Sequence, residues 1–334
     1  MDEHEGPAEA RTAAGHGAAA PGGDALAERF EGHRDQLRAV AYRMLGSLAE
    51  AEDAVQETWL RLGRVDAREI ASLGGWLRTV LSRVCLDMLR ARAARREDPV
   101  GDGMPEAAGP PPGGGAAEGS GTPEDEAVLA ESVGRALLVV LDTLTPAERV
   151  AFVLHDLFAV PFGEIAALLE RSPAATKKLA SRARHRVRGT ARMPRAELDR
   201  QRRVVEAFLA ASRRGDLDAL LAVLAPGVVR RADPAALPPG AAPVLSGARA
   251  VAEGTLVLGR RARFAEPALV DGAPGIVVAP YGRLLLVLTL TVEAGRISAY
   301  EVIADQARLA RLDLAVLEEA DTGRAGHDRA AAMY

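Results

Sequence analysis

Between Phe162 and Arg188 the chain reads FGEIAALLE, then Arg-Ser-Pro, then AATKKLASRARHRVR. Two short runs with apolar residues at helical spacing flank a break too short for anything but a tight turn. Ser172 supplies a cap for the second helix and Pro173 suits its first turn. At about 100° per residue, Thr176, Leu179, Ala180, Ala183 and Val187 share one face, and Lys177, Lys178, Ser181, Arg184, His185 and Arg188 share the other. A basic face alone is more often a solvated surface. Joined to a capped helix after a tight turn, it has the shape of a helix-turn-helix that enters a DNA major groove. Lysine and arginine there can pair with guanine edges or phosphates, and Ser181 with either.

The preceding segment supports this. Thr145-Pro146-Ala147-Glu148 is a helix start in which Thr145 caps the backbone amides and Glu148 completes a capping box. Val150, Val153, Leu154 and Leu157 then form an apolar stripe.

The net charge of −4 does not mark a nucleic-acid binder, so DNA affinity must come from segregated charge. Arg182, Arg184, Arg186, Arg188, Arg192 and Arg195 crowd one region, whereas Glu118–Glu131 leans acidic. Of 42 basic residues only Lys177 and Lys178 are lysines, a bias that fits a GC-rich coding sequence and makes arginine abundance uninformative. The lone Cys85 excludes an internal disulfide framework and suits a reducing cytoplasm. The acidic, Ala/Gly-rich N-terminus has no signal-peptide core, and the run near Leu284–Val292 is too short to span a bilayer as a helix, so no membrane role is expected.

The 334 residues divide by pattern. Residues 1–24 read as a disordered tail, 25–97 as helical, 98–125 as a Gly/Pro-rich flexible linker, 126–192 as helical again, 197–320 as α+β and 321–334 as a tail. In the α+β part, Val204, Val205, Phe208 and Leu209 continue a helical stripe that Gly215 breaks. Strands are expected at Gly275–Ala279, Leu284–Val292 and Ile297–Val302, with a hairpin turn at Glu293–Arg296. Leu284–Val292 is apolar on both faces, which predicts a strand covered on both sides.

In the first helical part, Val55, Trp59 and Leu62 share a core face, opposite Asp53, Gln56 and Glu57. That compact acidic patch suits a basic partner helix, although spacing alone favours plain solvent exposure. From Gly75, the residues Leu77, Val80, Leu81, Val84 and Met88 form a buried stripe, and Arg83, Asp87 and Arg90 share another face. The arginine-rich end, through Arg96, is a plausible phosphate track.

Together these blocks resemble the sigma-2 and sigma-4 domains of bacterial extracytoplasmic-function sigma factors of the sigma-70 family. The carrying residues are AEDAVQETWLRL, GGWLRTVLSRVCLDMLRARAARRE and the block from LTPAERV to HRVRG. From RRVVEAFLAASRRGDLDALLAVLAPGVV onward the chain is similar to a SnoaL-like (NTF2-like) α+β domain, the arrangement of the SigJ-type subgroup. The resemblance implies a multidomain fold: all-α sigma-2, all-α sigma-4 with its helix-turn-helix, and a C-terminal α+β domain. It implies a cytoplasmic transcription factor, without cofactor, that binds RNA polymerase core through the β′ clamp helices and β flap, binds promoter DNA, and contacts its own sigma domains through the SnoaL-like part.

By position, Asp53, Gln56, Glu57 and Trp59 match the polymerase-docking helix. Trp76, Arg83, Asp87, Arg90, Arg92, Arg95 and Arg96 fall in the segment that reads and melts the −10 element. Ser172, Lys177, Lys178, Ser181, Arg182, Arg184 and Arg188 fall at the −35 recognition helix. The chain departs from the family pattern at four places. Arg83 stands where asparagine is common, and Glu170 where a turn glycine is usual. Gly103–Ala107 replaces a Trp-Leu-Pro-Glu-Pro motif, and Arg231–Ala235 lies where an Asp-Gly-Gly-Gly-Lys motif is expected.

Two other readings remain at this point. One is a one-component helix-turn-helix regulator with a ligand-sensing α+β domain. The other is a fused isomerase or cyclase, which cone-shaped α+β folds can host. Residues 201–320 hold no histidine, cysteine or lysine, and Asp233, Asp271, Tyr281, Tyr300, Glu301 and Asp305 show no spacing that marks a catalytic pair. A regulatory rather than catalytic domain is expected.

Overall fold

The computed structural model describes residues 21–66, 69–97, 134–257 and 259–317. The linker and C-terminal tail expected from sequence, Gly103–Ala107 included, lie outside the described residues. Three helices come first: α1 (Pro21–Leu45), α2 (Leu48–Leu62) and α3 (Leu73–Glu97). The turn between α1 and α2 places Gly46 at φ +75°, a conformation that penalises a Cβ. Ser47 then caps α2, its hydroxyl accepting from the Glu50 amide at 3.5 Å. Helix α3 buries Leu77, Leu81 and Val84 of the predicted stripe and also Cys85, Leu86 and Leu89, because it packs on α1, α2 and later helices. Burial pushes the Cys85 thiol up to about 12, so this cysteine is a core side chain and not a nucleophile.

Four more helices follow: α4 (Arg135–Asp142), α5 (Pro146–Phe152), α6 (Phe162–Leu169) and α7 (Pro173–Arg188). Both halves of the capping box form. The Glu148 amide donates to Thr145 Oγ1 at 3.4 Å and the Thr145 amide donates to Glu148 Oε2 at 3.2 Å. Helix α5 widens into a π-turn over Val153–Leu157. Helix α6 ends with Glu170 in the left-handed conformation, φ 54° and ψ 44°, and the Arg171 amide donates to Ala166 O at 3.0 Å. The usual turn glycine is absent, yet the same turn is made.

The two helical groups pack against each other. Arg149 on α5 is 2% exposed; its guanidinium donates to Arg43 O at 3.3 and 3.4 Å and pairs with Asp142. Arg92 on α3 donates twice to Leu45 O at 3.1 Å and pairs with Glu50. Two guanidinium groups therefore serve the carbonyls at the C-terminus of α1, where the helix leaves acceptors unsatisfied and partial negative charge exposed. Burial pulls the Arg149 pKa down and the adjacent Asp142 opposes it.

The C-terminal part opens with α8 (Arg195–Arg214) and α9 (Leu217–Val223), then β1 (Leu224–Ala232), β2 (Val244–Ser246), α10 (Ala248–Val257), β3 (Ala265–Val270), β4 (Ala273–Val278), β5 (Leu286–Glu293), β6 (Arg296–Ile303), α11 (Gln306–Leu309) and β7 (Leu314–Val316). The strands form one mixed sheet in the order β2-β1-β6-β5-β4-β3-β7, with β1 and β6 parallel and the other pairs antiparallel. The expected hairpin joins β5 to β6 through Ala294 and Gly295, both at positive φ. Helices α8, α9 and α10 cover one face of the sheet around a core containing Phe208, Val251, Ile276, Leu286 and Tyr300.

The other face belongs to the helical region. Ala268, Val270, Val277, Val287 and Ile303 join the apolar core of α1–α7. Helix α4 lies across β3 and β7. The two-sided apolar pattern read in Leu284–Val292 arises because Val287 joins this core while Leu286 and Leu290 join the other. The N-terminus of α4 has no side-chain cap of its own; Glu266 on β3 supplies one, accepting from the Ala136 amide at 2.9 Å and pairing with Arg135 at 3.4 Å. Close approach also fixes the seam, since a Cβ at Gly189 would overlap Ala315 and one at Gly282 would lie 2.8 Å from Leu138.

Glu170 is exposed and strained, so Glu170→Gly should raise stability by about 0.5–1 kcal/mol, after allowing for the greater unfolded-state freedom of glycine. Urea denaturation measures it, and an unchanged or lowered midpoint would remove the strain assignment.

Candidate nucleic-acid interface

Helix α7 is positioned by its buried face. Thr176, Leu179, Ala180, Ala183 and Val187 are inside, and the helix packs on α5 and α6. Ser172 Oγ accepts from the Ala175 amide at 3.2 Å, so this hydroxyl is committed to the cap. Lys177, Lys178, Ser181, Arg182, His185 and Arg188 are exposed. Arg184 is half-buried and its Nε lies 2.9 Å from Asp156 in the π-turn. Burial pushes the Asp156 carboxyl up, against the pull of Arg184, His155 and Arg188. Arg182 and Arg186 both reach Glu148, at 3.8 and 3.3 Å. The capping-box glutamate thus also braces the recognition helix, a second role that a four-residue motif does not reveal.

The two ends of α7 differ. Its C-terminal end rests on β7 through Gly189 and Ala315, whereas Lys177, Lys178 and Ser181 near its start remain open to solvent. In helix-turn-helix proteins the N-terminal residues of the second helix reach base edges.

On α2, Asp53 and Gln56 are exposed, and Glu57 pairs with Arg61 at 2.8 Å. Trp59 is half-buried and packs on Phe30 with ring centroids 4.9 Å apart. Leu60 is 48% exposed and sits one and two helical turns beyond Gln56 and Asp53 on the same face. The sequence reading passed over it, although an apolar residue at that spacing within an acidic face was the available signal.

On α3, Arg83, Asp87 and Arg90 form an exposed row, with Asp87 and Arg90 3.9 Å apart. Trp76 is half-buried against the core. Arg92 turns inward to Leu45 O and Glu50 and is apart from that row. Arg95 and Arg96 continue the helix, and their side chains lie outside the described residues.

The residues considered for proton transfer are tied to local structure. Asp233 is partly buried, which opposes ionisation, yet donation from the Asp305 and Ala304 amides and from Arg308 holds its carboxyl below the usual range. Glu301 pairs with Arg308 at 2.8 Å, Asp305 caps α11, and Asp271 accepts from the Asp313 amide. Among the described residues there is no group of three His, Cys, Asp or Glu that could hold a metal, and no helix is long and apolar enough to cross a membrane.

Residues 29–95 match the family Sigma-70 region 2, and residues 134–187 match Sigma-70, region 4. The chain is 38% identical over 315 residues to the ECF RNA polymerase sigma factor SigJ of Mycobacterium tuberculosis, covering 90% of this chain and 98% of that one. It is 34% identical over 297 residues to the probable ECF RNA polymerase sigma factor SigI of the same species, covering 86% and 95%. The crystal structure of M. tuberculosis SigJ matches with 34% identity, a TM-score of 0.40, and coverage of 85% and 98%. With exposed polar faces on α2, α3 and α7 in the order of those regions, the chain belongs to the extracytoplasmic-function RNA polymerase sigma factors of the sigma-70 family, which direct transcription initiation.

Proposed function

We propose that α2 docks on the β′ clamp helices of core polymerase through Asp53, Gln56, Glu57 and Trp59, with Leu60 as an apolar anchor. Helix α3 reads and melts the −10 element through Trp76, Arg83, Asp87 and Arg90, with Arg95 and Arg96 following on the phosphates. Helix α7 reads the −35 element with Lys177, Lys178 and Ser181 foremost, Arg182, Arg184 and Arg188 on the backbone, and Ser172 holding the helix start. The region α4–α7 also meets the β flap, and the protein works in the cytoplasm with the polymerase. The observation that carries this reading is the set of three solvent-facing polar faces on helices whose apolar stripes, Leu60 apart, pack inward. A one-component regulator would have no use for the α2 face.

The packing of α1–α3 on α5 and α6 holds the factor shut, with the sheet domain seated on α4 and α7. The elements at −35 and −10 are separated by about 25 base pairs, roughly 85 Å of duplex at 3.4 Å per base pair. In the closed arrangement α3 touches both α5 and α6, so α3 and α7 cannot sit on both elements at once. Residues 98–133 could reach about 120 Å if fully extended, enough to let the helical groups part. Opening must break the Arg149 contact to Arg43 O on α1 and the 3.9 Å approach of Arg92 to Asp142, while the sheet stays on α4 and α7 through Glu266 and Gly189.

Run-off transcription with core polymerase tests the reading as a whole; failure to form a heparin-resistant open complex at any genomic promoter would sink it. Within it, Asp53→Lys with Glu57→Lys should lower core affinity at least tenfold and leave −35 duplex binding unchanged. Equal core binding by both proteins would remove α2 from the interface. Lys177→Ala with Lys178→Ala should weaken −35 binding and reduce the salt slope by about 2, roughly 1 per phosphate contact. An unaltered slope would take both lysines off the phosphates. Dyes at the exposed positions Glu69 and Arg171 should lose energy transfer when core polymerase and promoter DNA are added. Transfer that stays constant through open-complex formation would exclude the closed-to-open step.

A further inference from the structure

Between β4 and β5 the turn Pro280–Gly282 carries Tyr281 at φ 53° and ψ 32°, a left-handed conformation that is strained for a bulky side chain. The turn is held from both sides. The Arg283 amide donates to Pro280 O at 3.0 Å, and a Cβ on Gly282 would lie 2.8 Å from Leu138 of α4. Glycine would make the same turn at position 281 without strain, yet a tyrosine stands there, 36% exposed. Phe264 backs its ring, with centroids 5.9 Å apart and planes tilted by 46°. Strain of this kind, kept where burial repays little of it, gathers at functional positions.

The surroundings of the ring are basic. Arg263 is exposed and holds its guanidinium 4.5 Å from the Phe264 centroid. Arg213 of α8 is exposed and is fixed beside the same segment, donating to Ala262 O at 3.1 Å and to Ala265 O. Arg283 is exposed two residues beyond Tyr281. Among the described residues none of these three has an acidic partner. Neither Gly254–Ala265 nor Gly272–Val292 contains an aspartate or glutamate. The nearby Glu266 is engaged with Arg135 and the start of α4. Elsewhere on the surface arginines pair with acids one helical turn away, as Arg61 does with Glu57 and Arg249 with Glu253.

We propose that this patch of the sheet domain binds single-stranded nucleic acid. One base stacks on Tyr281, and the flanking phosphates meet Arg263, Arg283 and Arg213. A duplex keeps its base faces inside its own stack and offers the ring nothing. An acidic peptide would use the arginines and leave the ring idle. An unpaired strand uses both, because every base has a π-face and every link a negative charge. Transcription initiation supplies two such strands, melted DNA and new transcript, which share this chemistry. The site lies apart from the promoter-reading helices α3 and α7 and does not depend on how they are read.

Fluorescence anisotropy of the full chain with labelled oligothymidylate and oligouridylate of equal length measures the affinity. The same strands carrying one 5-iodouracil locate the contact, which irradiation should cross-link to Tyr281. Tyr281→Gly should lose about fivefold or more in affinity, the low end for one stacked base, yet unfold at no lower a temperature, because the strain leaves with the ring. Tyr281→Phe should bind as the unaltered protein does. Arg263→Gln with Arg283→Gln should reduce the salt slope by about 1.4, roughly 0.7 per phosphate contact on a single strand. Binding of either strand supports the platform, and the tighter of the two names its source. Full affinity in Tyr281→Gly, or displacement of the strand by polyglutamate as readily as by unlabelled strand, would overturn it. A cross-link confined to α3 would overturn it as well, and would leave the −10 reading of that helix standing.

Discussion

The arrangement turns on one buried charge. Arg149 brings a guanidinium to the C-terminus of α1, where the helix leaves carbonyls unsatisfied, and Asp142 supplies the countercharge. Removing Asp142 leaves Arg149 buried without its countercharge, whereas removing Arg149 leaves Asp142 open to solvent. Yet the intact pair contributes little net stability, since desolvation offsets most of the Coulomb gain. A contact of this kind fixes geometry without making it deep. Apolar packing alone would join α3 to α5 in several registers, and Arg149 selects one. In the opening proposed above, these charges return to water, which lowers the cost of separating the two helical groups.

The sheet domain is fastened differently, and the contrast matters. Its seam with α4 and α7 combines apolar side chains, a helix cap from Glu266 and a backbone approach at Gly189 too close for any Cβ. A donor from the Arg192 amide to Gly272 O, at 2.8 Å, continues the seam along the chain. These contacts involve groups that water replaces poorly. The opening proposed above parts α1–α3 from the rest and keeps α4–α7 and the sheet as one unit. The start of α7 faces away from that seam, so keeping the sheet in place does not cover Lys177, Lys178 and Ser181.

Legibility in the sequence followed the range of each interaction. Local devices were readable: the Thr145–Glu148 box, the Ser172 cap, the buried face of α7 and the β5–β6 hairpin all depend on residues within four positions of each other. The two-sided apolarity of Leu284–Val292 was readable as burial but not as burial against sigma helices, because composition does not name the covering element. Strands β1 and β3 were missed; Pro226-Gly227 and Pro267 interrupt the alternation on which strand recognition depends. Edge strands β2 and β7 are three residues each, too short for any period. Of the interface residues, Lys177 and Lys178 stood out by type, whereas Leu60 was passed over as one more apolar residue on an amphipathic helix.

The arginines show why abundance and meaning separate. In a chain where nearly every basic residue is arginine, type carries no information, and only the partner does. Arg149 has a carboxylate and two carbonyl contacts, and it is a clamp. Arg184, on the recognition helix, has Asp156, which holds its side chain against the π-turn after α5. Arg308 gathers Asp233 and Glu301 on the outside of the sheet. Arg230 is as buried as Arg149 but has one carbonyl and no acid among the described residues. Arg149 is held by a countercharge, and Arg230 by a backbone carbonyl alone. That difference required coordinates, because Arg230 and Arg231 look identical in a string of letters.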